Sequence, residues 1–109
     1  MNIQKYIGHD GQPTHICFSF HVVAHDKTNW AARLELAIAQ SRIRTFADVE
    51  IIAGRIVADK NMVKVYLLFS KTEYNLGTSI LHVTGFANVL GVHGFAAAGS
   101  VTELNFINA

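Results

Sequence analysis

At 109 residues the chain is expected to fold as one domain, 1–109, and its lone cysteine, Cys17, excludes an intramolecular disulfide. A formal net charge of +1 argues against a dedicated binder of nucleic acid or acidic membrane, whose electrostatic footprint is a basic excess. The chain is 50% hydrophobic and only 16% charged, against roughly 25% charged in ordinary domains, so some apolar surface is expected to be covered by a second copy or another protein.

Met1 to Pro13 lacks the basic start and apolar run of a signal peptide, which makes a reducing cytoplasm the expected compartment. Within it, Ile3, Tyr6 and Ile7 form a short apolar patch, followed by the turn-rich run from Gly8 to Pro13. The segment is expected to be an arm or an extra N-terminal edge strand.

Thr14 to Ala24 reads as a strand. Ile16, Phe18, Phe20 and Val22 fall on one face and His15, Cys17, Ser19 and His21 on the other, because successive strand side chains point oppositely. Asp26 or Thr28 is placed to cap a helix running to about Arg42, with Trp30, Leu34, Ala37, Ile38 and Ser41 along one side. Ala32, Leu36, Ala39 and Ile43 make a second stripe opposite, where a helix with one buried face needs only one.

Val49 to Val57 and Met62 to Phe69 are apolar segments of strand-favouring residues. They flank Asp59 to Asn61, the expected loop of a β-hairpin. Lys71 to Gly77 is a polar connection, after which Ile80, Val83, Phe86, Ala87 and Leu90 recur at helical spacing and Gly91 is placed as a left-handed C-cap. Gly94 to Gly99 reads as a small-residue loop and Val101 to Ile107 as the closing strand, Leu104 and Phe106 facing the core and Glu103 and Asn105 away. Tyr74 to Thr102 carries no formal charge, yet its glycines, His82, Thr84, Asn88 and His93 argue against a membrane span.

The order β-α-β-β-α-β is the split βαβ arrangement. It predicts an α+β, ferredoxin-like plait: a four-stranded antiparallel sheet in the order 4-1-3-2, with both helices on one face. Strand alternation then gathers His15, Cys17, Ser19, His21, Lys64, Tyr66, Glu103 and Asn105 on the opposite, open face. That mixed polar surface is the candidate binding site, although antiparallel sheets commonly carry a wetted polar face.

No other chemistry is specified by spacing. His15 and Cys17 stand about 7 Å apart along a strand and could share one ion, but His21 is about 13 Å from Cys17, so no metal site and no cofactor is expected. A nucleophilic Cys17 with His15 as base would sit mid-strand, without a helix N-terminus to lower the thiol pKa. Gly91, Gly94 and Gly99 follow a helix, the wrong side for a phosphate loop. The basic-Gly-aromatic signature of RNA-recognition modules is absent from Met62 to Tyr66.

The expected function is a cytoplasmic, self-associating binding protein that engages a small polar ligand or a protein partner through the open sheet face, with no nucleic acid and no membrane. Two alternatives stand beside it. One is a small His-dependent enzyme of hydrolase, lyase or isomerase type on the same face; the other is an inhibitor of a larger macromolecular complex.

Overall fold

The computed structural model describes residues 3–26, 28–57 and 60–101, with side chains described for 4–26, 28–51 and 62–97. Its elements are β1 (His15–Ala24), α1 (Trp30–Ser41), β2 (Asp48–Val57), β3 (Lys60–Ser70), α2 (Leu76–Val92) and β4 (Phe95–Val101). Single turns of 3-10 helix, Ile3–Tyr6 and Ile43–Thr45, precede β1 and β2. The strands form one antiparallel sheet ordered β2-β3-β1-β4, which is 4-1-3-2 counted from the β4 edge.

The alternation in β1 sets the two sides. Ile16, Phe18, Phe20 and Val22 enter one buried cluster with Val63, Val65, Leu67 and Phe69 of β3, Leu34, Ala37 and Ile38 of α1, and Phe86 and Leu90 of α2. Both helices therefore cover the same face. Phe18 meets Phe69 edge to face at 5.6 Å, and Phe20 meets Phe86 at 6.2 Å, the geometry that ring quadrupoles favour. Burying such side chains supplies about 1.5–3 kcal/mol each, which makes this layer the main source of stability.

The closing strand lies earlier than the sequence suggests. Gly94 to Gly99 is expected as a loop, yet Phe95–Val101 is β4, pairing antiparallel with Phe18 to Ala24. Alanine and glycine have weak strand preference, but the free edge of β1 supplies backbone partners, and ladder pairing overrides propensity. Residues 102–109, and with them the expected strand to Ile107 and the orientations of Leu104 and Phe106, lie outside the described residues.

The helix ends also differ from expectation. Asp26 accepts a hydrogen bond from the Thr28 amide (2.9 Å), closing a turn ahead of α1 instead of capping it. Asn29, left-handed at φ 51, occupies the N-cap position. What anchors this end is Arg33, whose guanidinium donates to the carbonyls of Thr28 (3.0 Å), His93 (3.0 Å) and Asp26. At the far end the chain turns at Arg42 (φ 59), so Ile43 leaves the outer stripe and is buried, while Ala32, Leu36 and Ala39 stay exposed.

Helix α2 begins with a side-chain cap, Asn75 Oδ1 accepting from the Thr78 amide at 2.9 Å. It runs past Gly91, the expected cap, and the left-handed glycine is Gly94 at φ 82. Ile80 is 43% exposed, whereas Ser79 is fully buried and its hydroxyl has no hydrogen-bond partner among the described residues. A buried hydroxyl without a partner costs about 1–3 kcal/mol. Ser79→Ala is therefore expected to stabilise the chain by about 1 kcal/mol, read as a rise in the denaturation midpoint at unchanged m-value.

In the hairpin, Lys60 pairs with Val57 and Asn61 with Ile56, so β3 begins inside the expected loop; Ala58 and Asp59 lie outside the described residues. The register shifts by one residue between Ala53 and Ile56.

The N-terminal segment is an arm that crosses the sheet face opposite the helices. Ile7 bridges Pro13, and the Thr14 amide donates to the Tyr6 carbonyl at 2.9 Å. This folds Tyr6 back onto β1 and β3, where Tyr6, Cys17, Tyr66 and Leu68 form a second buried cluster.

Candidate functional site

The topology gathers five separate segments at one end of the sheet: the arm, the start of β1, the 3-10 turn before β2, the end of β3 and the connection into α2. The Lys71 amide donates to the Thr14 carbonyl at 3.0 Å, tying two of them together. Between them opens a cleft of about 250 Å³ lined by His15, Arg44, Phe46, Asp48, Ser70 and Glu73, among others. A second cleft of about 280 Å³ adjoins it, adding Lys5 and Glu50 and sharing Arg44, Ala47 and Asp48 with the first.

The walls are held from behind. Phe46 stacks on His82 of α2 at 3.9 Å with 17° between planes, and Phe69 lies near-parallel to the same imidazole at 6.2 Å. Tyr74 meets both His82 and Phe69 edge to face at 5.7 Å. This aromatic column fixes the floor on which the charged groups stand.

Those charged groups carry both signs. Lys5 Nζ lies 3.7 Å from Asp48, and Arg44 lies 3.3 Å from Glu35; all four side chains are about half exposed. Pairs this exposed are worth under about 1 kcal/mol, so a ligand with better geometry can replace either partner.

His15 is half-buried. Its Nδ1 is 2.7 Å from the Thr14 hydroxyl, and the Tyr6 ring stands edge-on to it at 5.0 Å. Burial holds its pKa below the ordinary histidine value of 6.5, and Lys5 adds to that; Asp48 opposes both. The unfolded chain therefore takes up a proton before the folded one does. The stability this imidazole preserves is complete above pH 6.5 and is lost as pH falls through 6.5 toward the lower folded value. Chemical denaturation at pH 7 and pH 5 is expected to show a smaller drop for His15→Gln than for the parent.

The face proposed from the sequence divides in two. His15 lines the cleft, but Cys17 (0% exposed) and Tyr66 (2%) are closed beneath Tyr6, and Ser19 is also buried. Burial pushes the Cys17 thiol up to about 12, so it is protonated at neutral pH and unsuited to act as a nucleophile there. The Tyr6 hydroxyl donates to Glu50 Oε1 at 3.0 Å, and burial plus that carboxylate hold the phenol well above its usual range. His21 is exposed and Lys64 half-buried, its ammonium 5.1 Å above the Tyr66 ring, on the part of the face the arm leaves open. Glu103 and Asn105 lie outside the described residues.

Sequence reasoning missed Arg44, Phe46, Asp48, Ser70 and Glu73. The signal was topological: in a β-α-β-β-α-β chain, the start of the first strand, the connection entering the second and the exit of the third share one end of the sheet. Among the described residues, no three of His, Cys, Asp and Glu stand close enough to hold a metal ion together. No helix among them is long and apolar enough to cross a membrane.

Fold and site together define a small α+β domain with a charged cleft at one end of an antiparallel sheet. No protein-family model matches the chain, and no curated protein does. Among solved structures it is similar to a C-terminal segment of the alpha subunit of aIF2 from Pyrococcus abyssi, 13% identical with a TM-score of 0.46; the match covers 94% of this chain and 57% of that one. A likeness of that degree carries no argument about activity.

Proposed function

We propose that this chain is a ferredoxin-like plait acting as a self-associating binding protein. Its ligand is a small polar molecule that carries both signs of charge, held in the cleft at the His15 end instead of across the whole open face. The observation that supports this is the convergence of two adjoining clefts on Arg44 and Asp48, a cation and a carboxylate on one short connection. Arg44 presents a planar fork suited to a carboxylate or phosphate, Asp48 and Glu73 accept from an amine, and Phe46 offers an apolar contact. Single domains that keep a free buried thiol suit a reducing cytoplasm, and that compartment belongs to the same proposal.

The test is thermal denaturation against free α-amino acids and phosphorylated amines at millimolar concentration. A ligand at about a hundred times its Kd stabilises by about 2.7 kcal/mol. The proposal expects a rise in Tm with at least one such compound and loss of that rise in Arg44→Ala and in Asp48→Asn. Equal rises in parent and variants would refute the cleft as the site.

One observation favours a second reading, a His-dependent enzyme of hydrolase, lyase or isomerase type. An imidazole held by Thr14 and kept neutral near pH 7 has the protonation state of a general base. Turnover abolished in His15→Gln with ligand binding retained would select it.

A further inference from the structure

We infer that the N-terminal arm is a strap that closes over the ligand, Lys5 joining Arg44 on the ligand's anionic group. The inference rests on the cleft reading proposed above and names the residue that shuts that site.

The register of the sheet shows how the arm is pinned. On the face opposite the helices, one cross-strand row runs Cys17, Leu68, Asp48 and the next runs Ser19, Tyr66, Glu50. Tyr6 packs with Cys17, Leu68 and Tyr66 in one buried cluster, over β1 and β3. Both rows end on a carboxylate of β2, the strand at the edge of the sheet, and consecutive arm residues take the two. Lys5 Nζ lies 3.7 Å from Asp48, and the Tyr6 hydroxyl donates to Glu50 at 3.0 Å. Lys5, Asp48 and Glu50 also line the second cleft, together with Arg44. These two side-chain contacts that hold the arm are therefore cleft wall, and a ligand that fills the cleft meets the arm.

Charge gives the coupling its sign. A ligand ammonium on Asp48 brings its anionic group toward Arg44, the cation on the same connection. An ammonium has three donors, so Lys5 keeps its contact with Asp48 and turns another donor to the anion from the arm side. The result is a ring of alternating charge: Asp48, ligand ammonium, ligand anion, Lys5. No pair is broken to form it, so the ligand tightens the arm instead of displacing it.

Linkage makes the effect reciprocal. The factor by which a closed arm raises ligand affinity is also the factor by which saturating ligand lowers the population of open arm. An ion pair made by a half-exposed lysine sets that factor at roughly fivefold. Cys17, fully buried beside Tyr6, reports it, because reagent reaches the thiol when the arm opens.

The test is the rate of Cys17 alkylation by N-ethylmaleimide at neutral pH. It is measured with and without the proteinogenic α-amino acids other than cysteine, and O-phosphoethanolamine, each at millimolar concentration. Every compound that raises Tm is expected to slow alkylation roughly fivefold at saturation. The ratio of rates without and with that compound should fall to about one in Lys5→Gln and return in Lys5→Arg, both at a half-exposed side chain the core does not use. Slowing in Lys5→Gln as large as in the parent would mark a general stabilisation of the fold and overturn the strap. A compound that raises Tm and leaves the parent's rate unchanged, or speeds it, overturns the strap and leaves the cleft as the site. If no compound raises Tm, the cleft reading falls and the strap with it.

Discussion

Phe69→Ala is expected to lower the free energy of unfolding by about 3–5 kcal/mol, a large part of the 5–15 kcal/mol that holds a domain of this size. The side chain is fully buried and lies where the core meets the cleft. Its ring meets Phe18 at 5.6 Å and Tyr74 at 5.7 Å, both edge to face, and lies near-parallel to His82 at 6.2 Å. Truncation loses the transfer energy of the ring and leaves a cavity that Phe18, Tyr74 and His82 cannot fill without leaving their present positions. Tm should fall by roughly 15–20 °C. Because His82 also carries Phe46, the variant should lose ligand-induced stabilisation beyond what its lower Tm explains. A loss under about 1 kcal/mol would mean that this column is not packed as described.

Tyr6→Ala is expected to open the second buried cluster. Tyr6 is fully buried and covers Cys17, whose thiol burial has pushed up to about 12. In the parent, a thiol reagent at neutral pH should react with Cys17 only through rare opening of the arm. Removing the ring admits water and reagent, lowers the thiol pKa toward its ordinary value and should speed modification by roughly a hundredfold, at a stability cost of about 3 kcal/mol. Tyr6→Phe separates packing from hydrogen bonding. It keeps the cover and removes the hydroxyl that donates to Glu50, so it should cost about 1 kcal/mol and leave Cys17 slow. Equal reactivity in Tyr6→Ala and the parent would show that the arm does not seal the thiol.

How much of this was legible depends on how local the cause is. The alternation from His15 to Val22 was readable because it repeats every two residues, and the side on which Phe18 and Phe20 lie follows from it. What alternation cannot report is a cover supplied from elsewhere. Ile3, Tyr6 and Ile7 are too few to reveal a period, yet one of them closes over Cys17 and Tyr66 and turns much of a supposed open face into a second core. The fourth strand was obscured for a related reason: Ala96, Ala97 and Gly99 look like a loop in isolation, and become a strand through the edge of β1. The cleft was the least legible, since His15, Arg44 to Asp48, and Ser70 with Glu73 are far apart in the chain and only the end of the sheet they share brings them together.

The most direct test of the charged cleft is a nitrogen–proton correlation map of the labelled protein titrated with free amino acids at millimolar concentration. Saturable shifts are expected, centred on His15, Arg44 to Asp48, Ser70 and Glu73, together with the Phe46–His82 stack behind them. Shifts centred on His21 and Lys64, with the cleft unmoved, would contradict it.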